Sequence, residues 1–155
     1  MKNIISIMMV AAIGMLLVFT GCKEEEYQTE PLKMVTLSGT VKAELNLSTA
    51  GLESVPNGTK IIFRIDSQDL VQTPIAGYTY QILQYEATVV DGTYTIQLPA
   101  VKFNAARVDI TPVDFQTDQI QPDNSRLEKT YIGNPVVQFI QEGERYFKNL
   151  TYTAI

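Results

Sequence analysis

Residues 80–99 read YQILQYEATVVDGTYTIQLP, and Asp91-Gly92 separates two runs in which apolar and polar residues alternate. An Asp-Gly pair in that setting is a strong signal for a two-residue β-hairpin turn. A turn at this position pairs Val90 with Thr93. The next pairs on the apolar side are Val89–Tyr94, Ala87–Ile96 and Tyr85–Leu98. A shift by one residue would bury the polar side instead, so the stretch predicts a hairpin whose Tyr85 and Tyr94 face the core.

Similar period-two runs occur on both sides of the hairpin, and no convincing stripe of period 3.6 follows residue 21. The predicted inward residues are Val35, Leu37, Val41, Ala43 and Leu45 in one run, Ile61, Phe63 and Ile65 in a second, and Val108 and Ile110 in a third. Gly39 predicts a bulge or a close backbone approach within the first run. Pro112 predicts that the third run lies at a sheet edge or carries a bulge.

Further segments complete a predicted domain of residues 34–155. Residues 47–58 are rich in turn-forming residues and predict a loop. Residues 115–129 are polar and predict a long loop, which is either functional or an excursion across the domain. Residues 136–140 and 145–152 predict the last strands, without fixing their register. Six to eight short strands without helical crossovers predict an all-β fold, an antiparallel two-sheet β-sandwich of immunoglobulin-like or transthyretin-like type.

The start of the chain predicts a cleaved signal peptide over residues 1–21. Lys2 gives a basic start and residues 4–19 carry no charge, which is the pattern of a secretory signal. A permanent membrane helix is the alternative, because the apolar run is nearly long enough to span a bilayer. The stretch LVFTGC, residues 17–22, resembles a bacterial lipobox, in which the signal is cleaved before a cysteine that becomes lipid-modified. The resemblance implies that Cys22, the only cysteine in the chain, carries the lipid, and a buried free cysteine is the competing interpretation.

An acidic run directly follows the predicted lipid site and consists of Lys23, Glu24, Glu25 and Glu26. With the polar residues after it, this run predicts a flexible tether over residues 22–33. The run resembles the acidic export signals of lipoproteins of the Bacteroidetes. That resemblance implies an outer-membrane lipoprotein anchored by its lipid and exposed at the cell surface. A periplasm-facing lipoprotein is the alternative.

Composition excludes several functions. The net charge of −5 disfavours nucleic-acid partners, because such a chain gains nothing from counterion release on a phosphate backbone. The chain has no histidine, so a Ser-His-Asp triad is excluded and the commonest zinc ligand is missing. A catalytic carboxylate pair is the remaining enzymatic alternative. We expect no enzymatic activity, no cofactor and no metal.

Three stretches resemble one family of surface domains: LSGTV at residues 37–41, VPNGT at 55–59 and DGTYTIQLP at 91–99. They are similar to carboxypeptidase-regulatory-like, transthyretin-like sandwiches and to the related Cna B-type repeats of adhesins. The resemblance covers about residues 35–115 and implies a rigid spacer or binding module, usually non-catalytic. Some Cna B-type domains form a Lys–Asn isopeptide bond assisted by a carboxylate. Lys42, Glu86 and Asn149 are the matching residue types, although the alternation places Lys42 and Glu86 outward.

Two further sets of residues are candidate sites. The tyrosines Tyr78, Tyr80 and Tyr131 lie near predicted loop edges and could form a platform for a sugar or a protein, since tyrosine combines flat area with a polar tip. The carboxylates Asp114, Asp118 and Asp123 could converge on a calcium ion, although their spacing matches no known calcium loop.

The sequence therefore predicts a surface-anchored lipoprotein that acts as a non-catalytic structural or protein-interaction module of the cell envelope. The alternative is a glycan-binding accessory lipoprotein of a polysaccharide-uptake system, with the tyrosines and residues 115–129 forming the contact surface.

Overall fold

Eleven β-strands and one 3₁₀ helix make up the regular structure of residues 31–155, the part of the chain that the computed structural model describes. The strands are β1 (Lys33–Ala43), β2 (Glu53–Ser54), β3 (Lys60–Asp66), β4 (Ile82–Thr88), β5 (Thr93–Ala100), β6 (Ala106–Pro112), β7 (Phe115–Ile120), β8 (Arg126–Gly133), β9 (Val136–Ile140), β10 (Arg145–Phe147) and β11 (Leu150–Ala154). The 3₁₀ helix, Ser67–Leu70, follows β3. Within these residues, no helix has the length and apolar character needed to cross a membrane.

The predicted signal peptide, Cys22 and the acidic run from Lys23 to Glu26 lie outside the described residues. So does the predicted tether, apart from residues 31–33. Residues 31–155 pack as one compact unit.

The strands form two sheets around one apolar core, which confirms the predicted β-sandwich. In the first sheet, β5 and β2 pair along one edge of β1, and β10 and β11 pair along its other edge. The same sheet continues from β11 to β8 and β7. The second sheet has the order β4-β3-β6-β9 and is antiparallel throughout. The predicted inward residues of the three runs are buried between the sheets, except Leu45, which is half-buried.

One part of the first sheet is parallel, which departs locally from the predicted antiparallel pairing. β1 pairs in parallel with β10 at residues 36–38 and with β11 at residues 41–43. Parallel neighbours need a long connection, usually a helical crossover. Here the connection is the rest of the domain, so the absence of helices did not exclude parallel pairing between the first and last strands.

The turn at Asp91-Gly92 forms as predicted, but the predicted hairpin ladder does not. Asp91 and Gly92 both have positive φ, 49° and 70°, and Val90 pairs with Thr93. Beyond that pair the strands separate: β4 pairs with β3 in the second sheet, and β5 pairs with β1 in the first. Their predicted apolar sides still point inward, because each strand packs this side against the opposite sheet. The buried members are Ala87, Val89, Tyr94 and Leu98, while Tyr85 and Ile96 are half-buried.

Gly39 marks a close backbone approach, one of its two predicted roles. A methyl group there would collide with the carbonyl oxygen of Lys148, which lies in the short break between β10 and β11. That carbonyl accepts a hydrogen bond from the Tyr94 hydroxyl at 2.8 Å, and the Lys148 amide donates to the Ser38 carbonyl at 2.8 Å. The side-chain oxygen of Asn149 accepts from the Thr40 amide at 3.0 Å and completes the pairing across the break.

Residues 115–129 are not a long loop, so that prediction is wrong. They form β7, the turn and the start of β8, paired antiparallel from Phe115–Tyr131 to Ile120–Arg126. The apolar alternation is missing because β7 presents Thr117 and Gln119 inward with Phe115. Gln119 is only 5% exposed, and its side-chain amide donates to the Glu44 carbonyl at 2.9 Å. Because an inward polar side chain of β7 is hydrogen-bonded inside the domain, the strand lacks the alternation of apolar and polar residues that would reveal it in the sequence.

The strand that ends at Pro112 lies inside its sheet, which corrects the predicted edge position. β6 pairs with β3 on one side and with β9 on the other. Its pairing with β9 runs only from Ala106 to Ile110, so Pro112 lies two residues beyond the last pair. The proline therefore removes no hydrogen-bond donor from that ladder.

Candidate functional site

The most exposed aromatic pair of the predicted platform lies in the loop of residues 71–81, between the 3₁₀ helix and β4. The Tyr78 side chain is 63% exposed, and its ring meets the half-buried Tyr80 ring edge-on at a centroid distance of 4.8 Å. The Tyr80 hydroxyl accepts a hydrogen bond from the Ile75 amide at 2.8 Å. Ile75 itself is 68% exposed, so the loop presents an aliphatic and an aromatic side chain together.

Both ends of this loop are fixed to each other. The Ser67 amide donates to the Gln81 carbonyl at 2.9 Å, and the Gln81 amide donates back to the Ser67 hydroxyl at 2.9 Å. Immediately after the loop, Ile82 begins β4 opposite Asp66 and remains 58% exposed. The loop therefore holds its apolar side chains at the edge of the second sheet.

A charged groove adjoins the loop on the outer side of the second sheet. It has a volume of about 300 Å³ and is lined by Arg64, Asp66, Asp69, Ile82, Arg107 and Asp109. Cross-strand register places opposite charges together, because Arg64 lies opposite Asp109 on the neighbouring strand. Such pairs contribute modestly to the stability of a sheet.

The carboxylates of the groove all accept hydrogen bonds from within the fold. Asp109 accepts from the Arg107 guanidinium at 2.8 Å, and Asp69 accepts from the Arg107 backbone amide at 2.9 Å. Asp66 caps the 3₁₀ helix by accepting from the Gln68 amide at 2.9 Å. Arg64 donates through Nε to the Gln84 side-chain oxygen at 3.0 Å, and its two terminal nitrogens bind no group of residues 31–155. The groove therefore combines carboxylates that are satisfied within the fold with arginine nitrogens that can contact another surface.

Tyr131 does not belong to the platform, which corrects that part of the prediction. Its side chain is fully buried, and its ring stacks on Phe115 at 5.0 Å. Phe115 also meets Tyr152 edge-on at 4.9 Å. The Tyr131 hydroxyl donates to the Glu44 carbonyl at 3.1 Å. This tyrosine therefore has a structural role inside the first sheet.

Burial affects the acidity of the core tyrosines. Desolvation raises the pKa of Tyr94 and Tyr152 far above the usual range, and it also raises the pKa of Tyr131, with smaller contributions from the charges of Glu53 and Glu44. The hydroxyls therefore remain protonated near neutral pH. They act as hydrogen-bond donors to backbone carbonyls, not as bases.

The structure does not bring the three calcium candidates together. Asp118 on β7 faces Arg126 across the strand pair at 3.8 Å, and Asp123 accepts from the Ser125 hydroxyl in the β7–β8 turn at 2.6 Å. Asp114 accepts from the Gly133 amide at 3.3 Å. Residues 31–155 contain no cluster of three or more acidic, cysteine or histidine side chains arranged to hold a metal ion.

The isopeptide candidates are also separate. Lys42 donates to the Leu52 carbonyl at 3.3 Å, and the side-chain oxygen of Asn149 accepts from the Thr40 backbone amide at 3.0 Å. Glu86 lies in the other sheet and pairs with Lys60 at 2.9 Å. The three side chains have different partners, so the structure gives no support to a cross-link among them.

No protein-family model matches the chain, and no curated protein matches it. Among solved structures, that of the major plantain pollen allergen Pla l 1 is similar over 79% of this chain and 94% of the allergen chain, with a TM-score of 0.37 and 10% sequence identity. A similarity this low carries no functional argument. The two sheets around one core make residues 31–155 a β-sandwich, and its relation to transthyretin-like and Cna B-type domains stays a prediction.

Sequence reasoning identified Tyr78 and Tyr80 but missed the residues around them. Ile82 was recognised only as part of an alternating run, and the charges of the groove are far apart in the chain. The only available signal was the repeated Arg-x-Asp pattern at Arg64–Asp66 and Arg107–Asp109. That pattern becomes informative once β3 and β6 are known to be neighbours.

Proposed function

We propose that the chain is a lipoprotein anchored through Cys22 to the outer membrane, exposed at the cell surface, whose β-sandwich is a non-catalytic protein-interaction module. The anchor rests on the lipobox-like stretch before Cys22 and on the acidic run after it. The module rests on one observation: the loop of residues 71–81, with Ile82, exposes apolar and aromatic side chains beside a charged groove.

This arrangement fits the anatomy of a protein-binding surface. Interfaces are enriched in aromatic residues and arginine and usually have an apolar centre with a polar rim. Ile75, Tyr78 and Ile82 supply the apolar centre, and Arg64 and Arg107 lie in the adjoining groove. The hydrogen bonds between Ser67 and Gln81 already restrict the loop. Binding of a partner would therefore cost less conformational entropy of the loop.

Site-specific photocrosslinking in intact cells tests the interaction. A benzoylphenylalanine placed at Tyr78 or at Ile82 should give a covalent adduct with the same envelope protein. The matched control is Leu127 on β8, an apolar side chain that is 50% exposed on the other sheet. Adducts of equal yield from Leu127, or no adduct from Tyr78 and Ile82, would contradict the proposed surface.

The anchor and its orientation need separate measurements. Cys22→Ser should abolish incorporation of labelled palmitate and release the protein from the membrane fraction, because several acyl chains are needed for stable anchoring. Protease added to intact cells should degrade the wild-type domain. Replacing Lys23, Glu24, Glu25 and Glu26 together by alanine should keep palmitate incorporation but protect the domain from protease. Wild-type protein that resists the protease would favour the periplasm-facing alternative.

A further inference from the structure

A polar face covers the outer side of the first sheet where β5, β1 and β10 lie side by side. Its outward side chains are Thr93, Thr95 and Gln97 on β5, Thr36, Ser38 and Thr40 on β1, and Arg145 and Phe147 on β10. We name it the hydroxyl face. It lies on a different sheet from the loop and groove described above, so its role is independent of the protein-interaction proposal.

Phe147 is the most exposed large apolar side chain of the described residues, at 77%. Its neighbour Tyr146 points inward and packs against the core, which fixes the Phe147 ring on the outside. Phe147 lies opposite Ser38, and Ser38 lies opposite Thr95 on its other side. A single exposed apolar residue is ordinary on a protein surface. Here, however, the ring ends a row of hydroxyl groups.

The charge of the hydroxyl face differs from that of the chain. The protein has a net charge of −5, yet the outward positions of these three strands carry no carboxylate. Arg145 lies opposite Thr36 and takes part in none of the ion pairs among residues 31–155. Lys42 adds a second cation farther along β1. The face is therefore complementary to a ligand that combines hydroxyl groups with negative charge.

The spacing of the two β10 side chains suits a charged sugar. Residues two apart on a strand share one face and lie about 7 Å apart. An aromatic ring offers a flat apolar surface against which the C–H side of a pyranose can pack. A guanidinium binds a carboxylate through two parallel hydrogen bonds. A sugar ring over Phe147 would thus place an attached carboxylate within reach of Arg145. The hydroxyls of Ser38, Thr40 and Thr95 lie beside it for the other oxygens, whereas the Gln97 amide already donates to the Thr36 hydroxyl at 2.9 Å and the Thr93 hydroxyl donates to the Val90 carbonyl at 3.0 Å.

From this juxtaposition we infer that the hydroxyl face binds an acidic polysaccharide, one whose sugar rings carry uronate carboxylates. Phe147 supplies the stacking surface and Arg145 binds the carboxylate. The hydroxyls of Ser38, Thr40 and Thr95 bind the ring hydroxyls. The recognition is by charge and ring shape together, so neither a neutral glucan nor a polyanion without sugar rings should replace the ligand.

Affinity electrophoresis or calorimetry of the purified full-length chain in detergent tests this inference, with polygalacturonate as the probe. Saturable binding is expected, weakened about tenfold by Phe147→Ala and about tenfold by Arg145→Gln, the effect of losing one buried ring contact or one charged hydrogen-bonded pair. Two controls are matched in type: Phe139→Ala removes a phenylalanine that is 57% exposed on the other sheet, and Arg126→Gln removes a cation on β8. Neither should change the affinity.

Two comparison polymers separate sugar recognition from simple charge attraction. Dextran, which has rings without carboxylates, and polyglutamate, which has carboxylates without rings, should both bind at least about tenfold more weakly, since each lacks one of the two contacts. Equal binding of polyglutamate, equal losses in Arg126→Gln and Arg145→Gln, or no binding of polygalacturonate would overturn the inference. Unchanged unfolding midpoints of the variants would show that any loss of binding is local.

Discussion

Replacing Gly39 by alanine tests the tightest contact of the first sheet. The new methyl group would collide with the Lys148 carbonyl oxygen and would lie 3.0 Å from the nearest atom of the Tyr94 ring. The carbonyl cannot move away freely. It accepts from the Tyr94 hydroxyl, and its own residue donates to the Ser38 carbonyl, both at 2.8 Å. The substitution must therefore separate β1 from the break between β10 and β11.

The expected cost follows from three terms. Overpacking of a tight site costs about 3 kcal/mol at the upper end of its usual range. Losing one hydrogen bond adds about 1 kcal/mol. The reduced freedom of the unfolded chain with alanine offsets about 1 kcal/mol. Gly39→Ala should therefore lower the free energy of unfolding by about 3 kcal/mol, a large share of the stability of an ordinary domain.

Urea unfolding followed by far-UV circular dichroism or tyrosine fluorescence measures this change, since the chain has eight tyrosines and no tryptophan. With a slope of about 1.5 kcal/mol per molar urea, the midpoint should fall by roughly 2 M. Ser38→Ala is the matched control, because it changes an outward side chain one residue away and should stay within about 0.5 kcal/mol of the wild type. A Gly39→Ala midpoint equal to that of Ser38→Ala would refute the reasoning.

Three further predictions concern the tyrosines and the strand break. Burial raises the pKa of Tyr94 and Tyr152, so each protonated hydroxyl contributes to the free energy of unfolding. This contribution is fully present below about pH 10, and above it the free energy of unfolding should fall by about 1.4 kcal/mol per pH unit for each tyrosine. Urea midpoints that stay constant above that pH would contradict this. Tyr131→Ala should cost about 3–5 kcal/mol by leaving a cavity, whereas Tyr78→Ala should cost less than about 0.5 kcal/mol in the same assay. Asn149→Ala should cost about 1 kcal/mol and speed hydrogen exchange of the Thr40 amide, which donates to the Asn149 side chain. Unchanged exchange there would contradict the role of Asn149 in pairing across the strand break.

The side of each strand that faces the core could be predicted from the sequence, but the strands with which it pairs could not. The alternation in residues 80–99 correctly indicated which side chains of β4 and β5 point inward, and Asp91-Gly92 correctly indicated the turn. The alternation of apolar and polar residues indicates only that one side of a strand is buried. Two strands that bury their apolar sides against each other from opposite sheets produce the same pattern as two strands side by side, so the ladder prediction failed.

The candidate site was predictable only where local signals exist. Tyr78 stands out because it follows Gly77 in a segment without alternation, and the loop is indeed exposed. Tyr131 looked similar beside a polar stretch, yet it is buried, because β7 presents polar side chains inward. Phe147 lies in a terminal segment whose register the sequence left open. Its exposure depends on long-range pairing with β1, which no local pattern encodes.

The parallel arrangement of β1 with β10 and β11 determines how the domain would carry tension. A pull directed outward at Lys33 and at Ala154 acts along the strands in opposite directions, so it loads the pairs at residues 36–38 and 41–43 in shear. In shear, several hydrogen bonds must rupture together, whereas strands peeled apart from one end lose them singly. With the proposed anchor at Cys22, which precedes β1 in the chain, a force applied near β11 would act in the direction in which these strand pairs resist best.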